Sequence, residues 1–276
     1  MSRRALAARA APALLVLLLA GATLLPLDEA LRLESGDAAV AERWSDAVAA
    51  LPDDADVLVA FDPDLGTYAE IRPTVRVALA ELLARPANLA FVSLTPEGRA
   101  LALAELARLE RAGAAPLRIV DFGFLPGAEA ALVHLTRTFP DPTAEGTLGL
   151  RIAAGGFAEV EAILVVGGND LGPRSWVEQV LPRVGDVPIL AVAPTILLPE
   201  LQPYVATRQL AALVATPRDG AAYRQAADLG TGARLVSPED PSVAALLLGV
   251  LVAVLVLGQA IVAGLARPSP AEREPR

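Results

Sequence analysis

Two long runs of apolar residues lie near the ends of the chain. The run Val243–Ala266 carries no charge, and Gln259 is its only strongly polar side chain. As an α-helix it would be about 36 Å long, enough to cross a hydrocarbon core of about 30 Å with some tilt. The run Ala10–Leu27 is also uncharged and would reach about 27 Å as a helix. The pattern therefore predicts a membrane segment at each end of the chain.

The N-terminal run, residues 1–27, allows two interpretations. Three arginines precede its apolar part, and Ala20-Gly21-Ala22 resembles a cleavage site, so the segment also has the layout of a signal peptide. The apolar run, however, continues past that site to Leu27. An uncleaved anchor is the favoured interpretation, and cleavage stays open.

Charges beside the two runs predict the topology of the chain. Arginines lie on the terminal side of each run, whereas the inner flanks read Asp28-Glu29 and Pro238-Glu239-Asp240-Pro241. Positive flanks stay in the cytoplasm. We therefore expect a two-pass protein of the bacterial cytoplasmic (inner) membrane, with both termini, including the tail 267–276, in the cytoplasm. The domain 28–242 then lies outside, between the anchor and the C-terminal transmembrane helix 243–266.

Residues between the anchors repeat a short aliphatic run, a loop of Gly, Pro or Asp, and a helical pattern. The runs are Val57–Phe61, Leu89–Leu94, Leu117–Val120, Ala162–Val166, Ile189–Val192 and Leu210–Ala215. Strands without in-out alternation, each followed by a helix, are typical of a parallel sheet covered on both faces. The fold class is therefore α/β, with a doubly wound, mostly parallel sheet of Rossmann-like or flavodoxin-like type.

The helical patterns complete this prediction. They lie near Tyr68–Arg85, Glu97–Ala112, Ala128–Thr138, Pro173–Val184, Ile196–Val205 and Ala221–Asp228. Before the first strand, Ser35-Gly36-Asp37 can cap a helix that runs to about Leu51. The segment Phe139–Leu150 is rich in Pro, Gly, Thr and Asp and is interpreted as a surface loop.

Composition narrows the functional classes. The net charge is −9, and the two flanks hold +3 and +1, which leaves −13 for the residues between them. Nucleic acid is therefore not an expected partner, because phosphate binding needs a basic face. All 23 basic residues are arginine and cysteine is absent, which excludes lysine Schiff bases, thiol nucleophiles and disulfides. His134 is the only histidine, so sites built on several histidines are excluded too.

Polar side chains follow several of the predicted strands. Ligands of doubly wound sheets bind beyond the carboxyl ends of the strands, and the ligand-binding candidates there are Asp62, Asp64, Ser93, Thr95, Asn169 and Asp170. The same residue types are also what helix capping and tight turns require. We assign no catalytic residue, no metal and no cofactor to this edge.

One enzymatic pattern is present in part. A strand that ends in Asp-x-Asp, a second that ends in Ser or Thr, and a third followed by Gly-x-x-Asp resemble the haloacid dehalogenase-like phosphatases. The resemblance implies Asp62 as nucleophile, Asp64 as acid/base, Ser93 or Thr95 on the phosphate and Asp170 on magnesium. The chain departs from that family in the spacing after Asp64 and in having no lysine for the phosphate.

A second resemblance concerns architecture. The strand Val57–Asp62, the Leu125-Pro126-Gly127 entry to a helix and the strand that ends in Gly167-Gly168-Asn169-Asp170 resemble uncharacterised bacterial membrane-anchored α/β proteins. We expect a non-catalytic binding or scaffolding subunit of a membrane assembly, whose partners are the lipid bilayer and other membrane proteins. A magnesium-dependent phosphatase that uses Asp62 is the alternative.

Overall fold

A parallel β-sheet lies at the centre of the structure. The computed structural model describes residues 37–114, 118–142, 147–168 and 170–227, all within the compact unit Glu34–Pro238. Within these residues, six parallel strands pair in the order β3-β2-β1-β4-β5-β6. The strands are β1 (Asp56–Asp62), β2 (Asn88–Ser93), β3 (Ile119–Phe124), β4 (Ala162–Gly167), β5 (Ile189–Val192) and β6 (Ala212–Val214).

The strand order decides between the two predicted types of sheet. The chain moves outward from β1 to β3, returns to β4 beside β1, and then moves outward to β6 on the other side. This is the Rossmann order, which reverses between β1 and β4. The predicted α/β fold with a doubly wound parallel sheet is therefore confirmed for the described residues.

Helices cover both faces of the sheet. The helices are α1 (Ala38–Ala49), α2 (Leu65–Ala84), α3 (Pro96–Arg111), α4 (Glu129–Leu135), α5 (Thr147–Gly155), α6 (Pro173–Ser175, continued by the π-helical Trp176–Val180 and by Leu181–Val184), α7 (Leu198–Ala206) and α8 (Pro217–Ala226). Buried residues of α1, α2, α3 and α8 pack on the first face. Those of α4 to α7 pack on the second face.

The packing of β1 explains why apolar and polar residues do not alternate in its sequence. Val57, Val59 and Phe61 point into the first core, and Leu58 and Ala60 point into the second. Successive side chains of a strand point to opposite faces, and here each face is covered by helices. Every residue of β1 is consequently buried.

Helix α1 joins the first core through aromatic contacts. Asp37 caps the helix by accepting a hydrogen bond from the Ala39 N–H at 2.9 Å. The rings of Trp44 and Tyr223 lie 5.1 Å apart, and the Tyr223 hydroxyl donates to Glu81 at 2.5 Å. The predicted cap and helix are confirmed, and α1 is held to both α8 and α2.

The third strand differs from its prediction. It was predicted at Leu117–Val120, whereas β3 continues to Phe124. A charged residue lies inside it: Asp121 accepts a hydrogen bond from Arg99 at 2.6 Å and another from the Gly123 N–H at 2.9 Å. Gly123 has a φ of +82°, and the pairing register shifts beside it. The bulge and the ion pair with Arg99 allow β3 to continue through Asp121 and Gly123, residue types that are usual in loops.

The predicted surface loop Phe139–Leu150 is wrong in its last part. Helix α5 begins at Thr147, and Leu148 and Ile152 are buried in the second core. A Cβ at Gly149 would lie 2.8 Å from Val120 Cγ2. The glycine that suggested a loop therefore permits a close approach of α5 to the sheet.

The predicted membrane segments cannot be compared with this structure. Residues 10–27 and 243–266 lie outside the described residues. Among the helices that the structure describes, none has the length and apolar character required to cross a bilayer.

A buried ion-pair network joins α2 to α3. Arg76 donates to Glu105 at 3.0 and 3.1 Å, and Arg108 also binds Glu105. Glu105 is only 2% exposed. Burial raises the pKa of Glu105, but the hydrogen bonds from Arg76 and Arg108 outweigh it and hold the pKa below its usual value.

Removal of this carboxylate tests the network. Since Glu105 is buried and pairs with both arginines, we expect Glu105→Ala to lower the free energy of unfolding by about 3 kcal/mol. Glu178→Ala breaks an exposed pair with Arg174 and should have a much smaller effect. Both tryptophans of the chain are buried in this domain, so urea unfolding followed by tryptophan fluorescence measures the difference. Equal effects of the two substitutions on the free energy of unfolding would contradict the assignment of Glu105 to a buried, stabilising network.

Candidate functional site

The carboxyl end of β1 is closed by hydrogen bonds. Asp62, the last residue of β1, is 1% exposed. Its Oδ1 accepts hydrogen bonds from the backbone N–H of Leu94 at 2.7 Å, from that of Thr95 at 2.8 Å and from the Thr95 hydroxyl at 3.0 Å. The carboxylate therefore ties β1 to the turn between β2 and α3.

The first turn of α3 packs directly on the end of β1. Thr95 caps α3 by accepting a hydrogen bond from the Gly98 N–H at 3.0 Å. A Cβ at Gly98 would lie 2.5 Å from the Phe61 carbonyl oxygen and 2.6 Å from Asp62 Cα. Only glycine fits this approach, which brings the positive end of α3 to Asp62.

Burial changes the acidity of Asp62. Desolvation raises the pKa of this carboxyl to about 6, and the hydrogen bonds from Leu94 and Thr95 offset only part of that rise. Its protonation state in the folded protein therefore changes near pH 6. The raised pKa has a structural cause, the burial of Asp62, whereas the donors of the neighbouring turn lower it.

Asp64 performs a capping task of its own. It caps α2, accepting hydrogen bonds from the Thr67 N–H at 2.9 Å and from the Thr67 hydroxyl at 2.5 Å. The Thr67 hydroxyl lowers the pKa of Asp64 below its usual value. Leu65 follows directly at the first position of α2, and 67% of it is exposed.

The loops around the reversal of strand order lie close together. In Rossmann sheets the ligand enters between the loops after β1 and β4. A Cβ at Gly168 would lie 2.6 Å from Pro194 Cγ and 3.1 Å from Thr67 Oγ1. Thr195 adds to the closure, donating to Glu70 through its N–H at 2.9 Å and its hydroxyl at 2.6 Å. The loops after β1, β4 and β5 thus contact one another where a nucleotide would enter.

A small cleft remains on the second face of this edge. Its volume is about 200 Å³, below the range of about 300–1,000 Å³ usual for ligand pockets. Arg174 binds Glu178 and Glu200, each at 3.2 Å, and the Tyr204 hydroxyl donates to Glu178 at 2.5 Å. These contacts join α6 to α7.

The structure brings only some of the predicted residues together. Asp62 and Thr95 are in contact, and Ser93 lies at the end of the adjacent strand, fully buried, with no hydrogen-bond partner for its hydroxyl within the described residues. Asp170 is exposed and borders the cleft. Asn169 lies outside the described residues. No group of three or more acidic or histidine side chains in the described parts of the chain could hold a metal ion.

This geometry bears on the predicted phosphatase chemistry. A carboxylate nucleophile must reach the phosphorus atom, whereas Asp62 is buried and Oδ1 already accepts three hydrogen bonds. An acid/base residue must be available to the substrate, whereas Asp64 is engaged by Thr67. The assignment of Asp62 as nucleophile stays a prediction, and these contacts count against it.

Sequence reasoning missed three exposed apolar residues at the same edge. Leu65 follows β1, Ile196 follows β5 with 78% of its surface exposed, and Phe124 ends β3 with 39% exposed. The available signal was position, because Leu65 directly follows the residue that caps α2, and Ile196 lies in the short turn between β5 and α7.

Comparison of the chain with protein-family models, curated proteins and solved structures finds no match.

The pKa of Asp62 makes stability depend on pH. Because the folded pKa of about 6 lies above the ordinary 3.8, the contribution of Asp62 is complete below pH 3.8 and is lost as the pH rises through about 6. Asp62→Asn does not titrate. We therefore expect the stability of the unsubstituted protein relative to Asp62→Asn to fall by about 3 kcal/mol between about pH 3.5 and pH 7.5. Urea unfolding across this range measures it, and a constant difference would refute the raised pKa.

Proposed function

We propose that this chain is a membrane-anchored, extracytoplasmic α/β subunit that binds other membrane proteins and has no catalytic activity of its own. One observation carries the proposal: three of the six candidate residues at the ligand edge are engaged in holding the fold together. Asp62 secures the β2–α3 turn, Asp64 caps α2 and Thr95 caps α3.

The closure of the crevice supports the same conclusion. Catalysis by a Rossmann sheet requires a substrate or cofactor at the strand reversal. Gly168 lies close to Pro194 and Thr67 there, which narrows the space that a nucleotide would need. A protein partner does not need such a space, because it can dock on the outside of the edge.

The outside of this edge has the character of a binding surface. Leu65 and Ile196 expose 67% and 78% of their surfaces. Leu65 is the first residue of α2, and Ile196 lies in the 3-10 turn Thr195–Leu197 between β5 and α7. Large apolar side chains that are exposed on a folded domain can become buried when a protein partner binds. We define these two side chains as the apolar edge and propose that it contacts the partner.

The membrane location rests on the two apolar runs, 10–27 and 243–266. Their lengths and their arginine flanks support a two-pass protein with both termini in the cytoplasm. Partners of the apolar edge would then be membrane proteins with parts outside the cytoplasm, and the assembly would be held together in the plane of the membrane.

A charge placed on the apolar edge tests the proposed function. Leu65→Asp with Ile196→Asp should reduce the partner recovered with the full chain from mild detergent by about tenfold or more, since a carboxylate in an apolar contact is poorly solvated. Leu150→Asp is the matched control, because Leu150 is 60% exposed but lies on α5. Unchanged recovery with both edge substitutions, or equal loss with the control, would reject this edge as the interface.

The predicted topology has its own test. Periplasmic reporter enzymes fused after Asp37 or Pro238 should be active, and the same reporters fused to the tail after Arg267 should be inactive, because arginines on the terminal sides retain both ends in the cytoplasm. Activity at Asp37 and Pro238 of only those reporters that work in the cytoplasm would contradict the extracytoplasmic location.

A further inference from the structure

The outer side of α3 carries an exposed apolar patch. Among the helices on the first face, α3 connects β2 to β3 and so lies nearest the β3 end of the sheet. Leu103 exposes 48% of its surface. We define the α3 patch as the exposed residues Ala100, Leu103, Ala104 and Ala107. A leucine side chain gains free energy by leaving water when a partner covers it.

A hollow adjoins the α3 patch. Its volume is about 320 Å³, and it lies between α3 and the start of β3, lined by Leu103, Leu106, Ala107, Glu110, Ala114 and Ile119. Three of these residues, Leu106, Ala114 and Ile119, pack against the first core but are only half-buried. The described residues therefore leave this end of the first core partly open. Residues 115–117 lie outside them, whereas α3 is described over its full length.

The spacing of the exposed positions is typical of a helix that packs on another helix. Positions 97, 100, 104, 107 and 111 follow one another at intervals of three and four residues, which places them on one face of α3. The three central positions are alanines, and such small side chains let a second helix approach to about 8 Å. Leu103 lies beside them, next to the hollow. A surface that offers both an exposed side chain and a hollow can pair with a second copy of itself.

Glu97 and Arg111 determine how a second copy is oriented. Both are exposed, and each lies seven residues from Ala104, on opposite sides of it. If two α3 helices are antiparallel about a two-fold axis near Ala104, Glu97 of one copy comes to Arg111 of the other. A parallel pair would place each of them beside its like charge, which is unfavourable. The dipoles of two antiparallel helices add to the same preference.

The N-terminal half of α3 carries an excess of negative charge. Arg99 is paired with Asp121 at 2.6 Å, so these two charges cancel. Glu97 is within 3.4 Å of the Leu65 N–H, which is an uncharged donor. The excess charge at this end is therefore that of Glu97.

The C-terminal half of α3 carries an excess of positive charge. Glu105 is shared by Arg76 and Arg108, which leaves this network positive. Glu110 is exposed at the rim of the hollow and offsets the neighbouring Arg111. The two ends of the helix therefore have complementary charges also when every charged side chain of α3 is counted.

We propose that two copies of this chain associate through the α3 patch, with their α3 helices antiparallel about a two-fold axis near Ala104. Leu103 of each copy then lies against the hollow of the other, and Glu97 pairs with Arg111 at both ends of the contact. The same surface serves on both copies, so the assembly closes as a dimer. The contact goes beyond the proposed function, because it joins like chains through α3 rather than a different protein through the apolar edge.

Single cysteines in the full chain locate this contact, because the native chain has none. In mild detergent, a short bismaleimide should cross-link Ala104→Cys into a covalent dimer. Glu97→Cys alone and Arg111→Cys alone should give no dimer, because like residues of an antiparallel pair lie about 20 Å apart at these positions. A mixture of the Glu97→Cys and Arg111→Cys chains should give a dimer that contains one of each.

Leu150→Cys is the control for random collision, because Leu150 is 60% exposed but lies on α5. Tryptophan fluorescence verifies that each variant is folded. Four results would overturn the proposal: cross-linking of all three single variants, cross-linking of none of them, absence of the mixed dimer, or cross-linking of the control as strongly as Ala104→Cys.

Charge reversal tests the orientation in a second way. In the Ala104→Cys chain, Glu97→Arg should lower the cross-linking yield about tenfold, because each dimer contains the pair twice and both pairs become like-charged. Adding Arg111→Glu should restore the yield. Leu103→Asp should also lower the yield about tenfold or more, since it places a carboxylate in an apolar contact, whereas Leu150→Asp should not change it. Equal yields in all these variants, or no recovery in the double reversal, would contradict the proposed dimer.

Discussion

The hydrogen bonds of Asp62 are the interaction on which the arrangement of this domain depends. Parallel strands all end at one edge of the sheet, and after each strand the chain must turn into a helix there. The backbone amides of these turns need hydrogen-bond acceptors. At β1 the acceptor is a buried carboxylate that binds Leu94 and Thr95. Its desolvation is unfavourable, which is reflected in the raised pKa. The chain retains the carboxylate because it connects two neighbouring strand ends at once.

The same constraint explains the acidic appearance of the edge. Asp64 and Thr95 cap the helices that begin there, and Thr195 is bound by Glu70. Glycines at 98 and 168 allow the loops to approach one another. Polar residues and glycines at strand ends are shared by catalytic and non-catalytic members of this architecture. Here the partners of Asp62, Asp64 and Thr95 belong to the fold, and this supports the proposed non-catalytic role.

Much of the fold could be predicted from the sequence, because short aliphatic runs that alternate with helices are compatible with few arrangements other than a buried parallel sheet. Ile189–Val192 was predicted with its observed bounds, since an aliphatic run between Pro188 and Pro194 has little freedom. β3 and α5 were predicted less well. Asp121 and Gly149 are residue types that are usual in loops. The contact with Arg99 explains why Asp121 lies in a strand, and the close approach to Val120 explains why Gly149 lies in a helix. The candidate residues Asp62 and Thr95 were correctly placed at one edge, but their mutual hydrogen bond depends on the helix that follows β2, which residue types alone do not reveal.

Amide hydrogen exchange at Leu94 and Thr95 tests the structural assignment of Asp62 most directly. If the carboxylate is a permanent acceptor for both N–H groups, these amides exchange slowly in the full chain, and inorganic phosphate with Mg²⁺ leaves their rates unchanged. Fast exchange that phosphate with Mg²⁺ slows would mean that the edge is open to a ligand, and would contradict the account of this domain as a closed, partner-binding module.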